Sequence, residues 1–320
     1  MNNNNNNNQK VVFMGTLTFS AIILKALLDA RVNVVLVVTK EDTYDTKKKK
    51  YIYPLTKELA IKSNIEVFQP SRLKDNFRRV LEVNPSLVIT ASYGNIVPKE
   101  IINSVKCINI HASLLPSYRG ASPIQASLLN GDKITGVTIM EMAYKMDAGD
   151  IIYQEKLYIL DNDNFTSLLE KLALLGSKML LQKFDLITSN NYIPIKQNEN
   201  DVTLTHLLKK EDEIIDFNNN SESIVNKVRA LSDNLGGTFS INNIIYKVYK
   251  CKICDIIYSE YGTVIENKKR LVISSNSGSI EILEIQESSK KRLAIKDFLN
   301  GNKNIKVGDK VDKKECYQKQ

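Results

Sequence analysis

No stretch of this 320-residue chain approaches the roughly 18 consecutive apolar residues of a membrane-spanning helix. The opening Met1–Gln9 is polar, without the apolar core of a secretory signal or the arginine-rich amphipathic character of a transit peptide. Cysteine is scarce: Cys107, Cys251, Cys254 and Cys316 are scattered, which fits a reducing compartment and argues against a disulfide framework. Histidine is scarcer still, with only His111 and His206. The Cys251–Cys254 CxxC therefore lacks a second ligand pair nearby in sequence and reads as two thiols on a strand pair, so no metal is expected. Acidic residues are in the minority, 36 against 44 basic, and the resulting charge of +8 leans mildly toward anionic partners.

What is present is an ordinary globular composition, 43% hydrophobic and 25% charged, so the chain can bury a core. Single cores usually stop growing near about 250 residues, and two domains are expected at this length. Asn2–Asn8 is a homopolymer with nothing to bury, and residues 1–9 read as a disordered tail. After it, Lys10–Met14 is a β-branched run ending at Gly15, and Thr18–Ala30 carries Phe19, Ile23, Leu24, Leu27 and Leu28 at helical spacing. Val32–Thr39 is a second strand, and the lysine-rich Lys40–Lys50 that follows has neither period and reads as a disordered loop. Helices are expected at Pro54–Ser63, Pro98–Ser104 and Pro123–Asn130, and strands at Ser86–Thr90 and Cys107–His111. Such alternation implies an α/β fold, a mostly parallel sheet with helices on both faces and ligands beyond the carboxyl ends of its strands.

This first domain is expected over residues 10–189, ending in a long leucine-rich helix, Asn164–Thr188. An asparagine-rich stretch follows, and 190–208 reads as a linker. From Ile244 onward short alternating runs separated by Asn, Ser and Gly turns predict a small antiparallel β-barrel within a second domain, 209–320. Ile244–Gln320 holds 16 Lys and Arg against 10 Asp and Glu, so this module carries most of the positive charge and suits a nucleic-acid platform. Solvated lysine on a barrel exterior accounts equally well for that charge.

One segment is dense in chemistry-bearing residues, Asn109-Ile-His111-Ala-Ser113-Leu-Leu-Pro116-Ser-Tyr-Arg119-Gly120. Asn109 and His111 lie two apart on a strand and so share a face at its carboxyl end. An amide donor beside an imidazole suits addition to a carbonyl, the amide meeting developing oxyanion charge while histidine relays a proton. Further on, Gly136–Met140 leads into Met146-Asp147-Ala-Gly149-Asp150, whose Asp147 is placed to orient His111 or, alternatively, to cap a turn.

By these motifs, with Phe13-Met-Gly15-Thr16 and Phe19 in the first turn and Ser92-Tyr93-Gly94 with Pro98 in the middle, the chain resembles the formyltransferases that take their formyl group from 10-formyltetrahydrofolate. Within them it is most similar to the branch that formylates methionyl initiator tRNA. The resemblance spans nearly all of residues 10–300 and implies a Rossmann-like catalytic domain followed by an OB-like barrel that binds tRNA. Asn109, His111 and Asp147 match the family's catalytic trio, while Tyr93, Gly94, Ser113, Leu114, Leu115 and Pro116 match the segments that hold the folate. The same resemblance assigns tRNA contact to Lys47, Lys48, Lys49 and Lys50, in place of the family's basic insertion after the second strand, and to Arg229. Thr43-Tyr-Asp-Thr46 departs from the proline, arginine and glycine of that insertion, Leu17 stands where a proline is usual, and Ser232–Gly237 lacks an aromatic-proline corner. The alternative acceptor is an amino sugar nucleotide; a purine precursor fits less well, because those enzymes end soon after the catalytic domain. A binding protein on a retired enzyme scaffold would not need Asn109, His111 and Asp147 together. A cytoplasmic monomer is expected, bacterial by default and organellar as the alternative.

Overall fold

The computed structural model describes residues 9–233, 235–257, 260–301 and 304–312. The expected tail Asn2–Asn8 and Cys316 lie outside the described residues. In chain order the first elements are β1 (Val11–Gly15), α1 (Thr18–Asp29), β2 (Val34–Val38), β3 (Thr43–Asp45), β4 (Lys50–Ile52), α2 (Leu55–Lys62), β5 (Glu66–Phe68), α3 (Arg78–Glu82), β6 (Leu87–Ala91), α4 (Lys99–Ser104) and β7 (Cys107–His111). Then come β8 (Arg119–Gly120), α5 (Pro123–Leu129), β9 (Ile134–Glu141), β10 (Ile151–Tyr158), α6 (Phe165–Thr188) and β11 (Leu204–Thr205). The last are α7 (Ser221–Leu231), β12 (Gly237–Ile241), β13 (Ile244–Cys254), β14 (Val264–Glu266), β15 (Leu271–Ser274), β16 (Ser279–Glu287), β17 (Leu293–Ala294) and α8 (Ile295–Gly301).

Two compact units result, one from residues up to 123 with 134–158 and 169–206, the other from 124–133, 159–168 and 207 onward. The first holds a seven-stranded sheet in the order β10-β9-β7-β6-β1-β2-β5. Neighbours from β7 to β5 run parallel, and β9 and β10 add antiparallel strands at one edge. The apolar runs explain the parallel part: all five residues of β1 and of β6 are buried, as strands covered on both faces require. Helix α1 seals one face by burying Phe19, Ile23, Leu24 and Leu27, each worth about 1.5–3 kcal/mol on full burial. The chain leaves β1 toward β2 on one side and returns as β6 on the other, so the carboxyl ends of β1 and β6 form a topological switch point, where such sheets bind ligands.

Two expectations in this unit need correction. Lys40–Lys50 is not an unstructured loop, because β3 and β4 pair as a hairpin that sets Tyr44 opposite Tyr51 with ring centroids 5.1 Å apart. Its turn is built by Asp45, whose Oδ1 accepts from the backbone N–H of Lys47 at 2.9 Å and of Lys48 at 3.0 Å, with Lys49 in the left-handed region at φ 49°. Nor is 190–208 a free linker. Ile195 exchanges backbone hydrogen bonds of 2.8 Å with Ile151, and Leu204–Thr205 pairs with Arg119–Gly120, so residues 190–206 are part of the first unit.

The second unit carries the antiparallel sheet β12-β13-β16-β15-β14, with β17 on β16. Its interior is aromatic and aliphatic, with Phe239 stacked on Tyr246 and both Phe217 and Phe298 edge-on to that pair. The sheet curls: Lys310 bridges to Thr263 on one side and Val311 to Ile241 on the other, so one short segment joins its two margins.

Candidate active site

Asn109 and His111 stand at the carboxyl end of β7, and Asp147 comes from the loop between β9 and β10. His111 is buried at 6% exposure. The Asp147 carboxylate joins the three: Oδ1 accepts from Asn109 Nδ2 at 3.2 Å, and Oδ2 accepts from the Gly120 backbone N–H at 2.9 Å and lies 3.7 Å from His111 Nδ1. A carboxylate only accepts, so the Asn109 amide must turn its NH2 toward it; the Thr90 hydroxyl, 2.8 Å from Asn109 Oδ1, holds the other end. His111 Nε2 is 2.9 Å from the Tyr118 carbonyl oxygen, which also only accepts. The Nε2 therefore carries hydrogen, leaving the lone pair of the neutral ring on Nδ1, beside Asp147. At 3.7 Å that contact is longer than a hydrogen bond, so the Asp147 carboxylate stands beside Nδ1 without bonding to it.

Local backbone sets up this meeting. Gly120 lies at φ 122°, closed to side-chain-bearing residues, and a Cβ there would collide with the Thr205 carbonyl oxygen. Asp147 is itself left-handed at φ 51°, a region aspartate tolerates better than most residues. Sequence reasoning missed the groups behind it. Arg119, only 2% exposed, donates from Nε to Gln197 Oε1 at 2.9 Å and from Nη2 to Glu199 Oε1 at 2.8 Å. Gln197 Nε2 in turn donates to the carbonyls of Asp147 at 2.9 Å and Gly149 at 2.7 Å. Hydrogen bonds from Arg119 and then Lys145 hold the Glu199 carboxyl down at about 2. The signal for Arg119 is its place in the Arg-Gly turn; nothing near Gln197 singles it out.

The residues matched to folate binding fall into two groups. Tyr93, Ser113 and Leu115 are buried, with Ser113 Oγ donating to the Ser117 carbonyl at 2.6 Å and Leu115 in a small cluster with Met140 and Ile151. Burial pushes the Tyr93 phenol up from its ordinary value. Gly94, exposed at φ 72°, and the half-buried Leu114 and Pro116 lie nearer solvent. The Ser113–Leu115 backbone is pinned by Thr138, whose Oγ1 donates to the Ser113 carbonyl at 2.7 Å and accepts from the Leu115 N–H at 3.1 Å.

Lys47, Lys48, Lys49 and Lys50 are all exposed on the hairpin, next to Tyr44 and Tyr51, themselves 49% and 62% exposed. Arg229, matched to tRNA contact by the resemblance, is hydrogen-bonded within the second unit. Its Nε donates to the Asp163 carbonyl at 2.6 Å, Nη2 to the Leu160 carbonyl at 2.8 Å and Nη1 to Asn226 Oδ1 at 3.0 Å. Each guanidinium nitrogen thus has a partner within the second unit, while the side chain itself is half-buried. In the same unit, burial pushes the Cys251 thiol up to about 12, so it is not poised as a thiolate.

Comparison with known proteins matches residues 9–184 to the formyl transferase family and residues 207–303 to the formyl transferase C-terminal domain. The chain is 38% identical over 308 residues to the methionyl-tRNA formyltransferase of Lactobacillus johnsonii, covering 94% of this chain and 98% of the relative. Among solved structures it is similar to the N-formyltransferase of Helicobacter canadensis in complex with folinic acid and dTDP-3-aminofucose, with TM-score 0.67 at 22% identity over 87% of this chain and 99% of that one. It is also similar to HypX of Aquifex aeolicus in complex with tetrahydrofolic acid, with TM-score 0.63 at 16% identity over 95% of this chain and 50% of that one. At these identities the two structures speak for the fold alone.

Proposed function

The chain belongs to the formyl transferase family, and from that premise we propose that it moves the formyl group of 10-formyltetrahydrofolate to the α-amino group of methionyl initiator tRNA. The observation that carries the chemistry is the single carboxylate of Asp147 serving both Asn109 and His111. Resemblance along 98% of a methionyl-tRNA formyltransferase carries the choice of acceptor.

The free amine attacks the formyl carbon, and the carbonyl oxygen becomes an oxyanion. Asn109 Nδ2 has two hydrogens, and Asp147 takes one; the other meets that oxygen, a contribution of about 10²–10³ in rate for an oxyanion donor. The amine gives up its proton to His111 at Nδ1, where the resulting imidazolium faces the Asp147 carboxylate. The tetrahedral intermediate collapses as the bond from carbon to the folate nitrogen breaks, the His111 imidazolium gives its proton to that nitrogen, and neutral tetrahydrofolate leaves with the ring neutral again. No covalent enzyme intermediate is required.

Folate lies against Tyr93–Gly94 and Ser113–Pro116 in this reading. Tyr93, Ser113 and Leu115 shape that wall from inside, so Gly94, Leu114, Pro116 and the backbone meet the ligand. Lys47–Lys50 supply phosphate contacts for tRNA, and the exposed Tyr44 and Tyr51 offer ring faces to nucleobases. The protein works as a cytoplasmic monomer. The test is an acceptor panel under one set of conditions: methionyl initiator tRNA, methionyl elongator tRNA and a dTDP-linked amino sugar. Selective formylation of the initiator is expected, and formylation of the sugar alone would replace the acceptor while keeping the chemistry.

A further inference from the structure

Asp147 is held twice, once by its carboxylate and once by its backbone. The second hold comes from Gln197, which lies outside the motifs quoted above. Gln197 donates from one amide nitrogen to two carbonyl oxygens of the Asp147 loop, those of Asp147 and Gly149, while its Oε1 accepts from Arg119 Nε. The guanidinium can only donate and the carbonyls can only accept, so the Gln197 amide has one orientation that satisfies all three partners. Arg119 leads directly into Gly120, whose N–H donates to Asp147 Oδ2. A closed circuit results: the Arg119 side chain to Gln197, Gln197 to the Asp147 backbone, the Asp147 carboxylate to the Gly120 N–H, and one peptide bond back to Arg119.

The circuit matters because the Asp147 backbone is left-handed, a conformation that its partners must hold. The Glu141 N–H bond to the Asp150 carbonyl at 2.9 Å clamps the loop's base, but the Asp147 and Gly149 carbonyls are gathered by Gln197. Gln197 is itself fastened on its far side, since Leu204 and Thr205 pair in register with Arg119 and Gly120 and Glu199 holds Arg119 Nη2.

We propose that Gln197 is a positioning residue for formyl transfer, setting where the Asp147 carboxylate stands relative to Asn109 and His111. This rests on the reading of Asp147 given above. A carboxylate serving two catalytic groups tolerates little displacement, and a shift of about 1 Å in such a group costs on the order of 10²-fold in rate.

The experiment is steady-state kinetics on Gln197→Glu and Gln197→Ala in the full chain, with thermal unfolding of both and Asp147→Ala alongside. Gln197→Glu keeps the acceptor for Arg119 and places oxygen against two carbonyl oxygens; Gln197→Ala removes the bonds without repulsion. Expected is a fall in kcat of about 10–100-fold in both, with KM for each substrate within about threefold. A lowered melting temperature with kcat unchanged would overturn the proposal, because the residue would then serve stability alone. Full activity in Asp147→Ala would remove the underlying reading; a dead Asp147→Ala beside a fully active Gln197→Glu would remove only the role of Gln197.

Discussion

Asn109 Nδ2 and Asp147 Oδ1 lie 3.2 Å apart, so one carboxylate both orients the Asn109 amide and stands beside His111. Removing either end of this pair therefore disturbs two functions. Asn109→Ala is expected to lower kcat by about 10²–10³-fold with KM for the folate little changed, the signature of a contact made in the transition state. His111→Ala should lose about 10²–10⁴-fold. Steady-state kinetics with circular dichroism as a folding control checks both, and wild-type rates in His111→Ala would remove histidine from the proton path.

The basic hairpin makes a salt-dependent prediction. Replacing Lys47–Lys50 by alanine should raise KM for tRNA and flatten the dependence of log affinity on log salt, by up to about 0.7–0.9 for each phosphate these lysines neutralise. Turnover at saturating tRNA should persist. Binding measured across a salt series decides, and an unchanged slope would place tRNA contact elsewhere.

Arg229→Ala separates structure from recognition. The Leu160 and Asp163 carbonyls would lose their donor; the first can turn to water, and the loss at the buried Asp163 costs about 1 kcal/mol. A lower melting temperature with tRNA affinity unchanged is expected; affinity lost at unchanged stability would show a tRNA role for Arg229.

Glu199 supplies a pH prediction. Its carboxyl is held down at about 2, below its ordinary value of 4.5, first by the hydrogen bond from Arg119 and then by Lys145. A depressed folded-state value means the stabilisation is present above the unfolded value and is lost as pH falls from about 4.5 to about 2. The melting-temperature gap between the wild type and Glu199→Gln should thus close across that window. A gap that stayed constant down to pH 2 would show that the Arg119 ion pair contributes nothing; because Glu199 is largely exposed, the gap at neutral pH should be modest.

Much of the catalytic unit is legible in the sequence because its signals are local. β1, β2, β6 and β7 are apolar runs, α1 shows one apolar face, and Asn109 and His111 announce themselves as polar residues two apart on a buried strand. Asp147 stands out by its glycine-containing loop, although its bond to Asn109 spans 38 positions and no spacing foretells it. The hairpin escapes sequence reasoning because its order comes from the cross-strand contact of Tyr44 with Tyr51 and from Asp45 in the turn, beneath a lysine run that looks only solvated. Residues 190–206 resemble a linker for their asparagines, yet Asn198 accepts from the Asn200 N–H in a short turn and Gln197 reaches partners 48 to 78 residues back. The partners of Arg229 are hidden for the same reason, since the carbonyls it serves lie more than sixty positions back.

The most direct test is single-turnover transfer of labelled formyl from 10-formyltetrahydrofolate to methionyl initiator tRNA, by the wild type and by Asp147→Asn, with enzyme in excess. The wild type should label the tRNA rapidly, and Asp147→Asn should be slower by on the order of 10²-fold or more, because the side chain that faces both Asn109 and His111 has lost its charge. Equal rates in the two proteins, or no labelling by the wild type, would contradict the account.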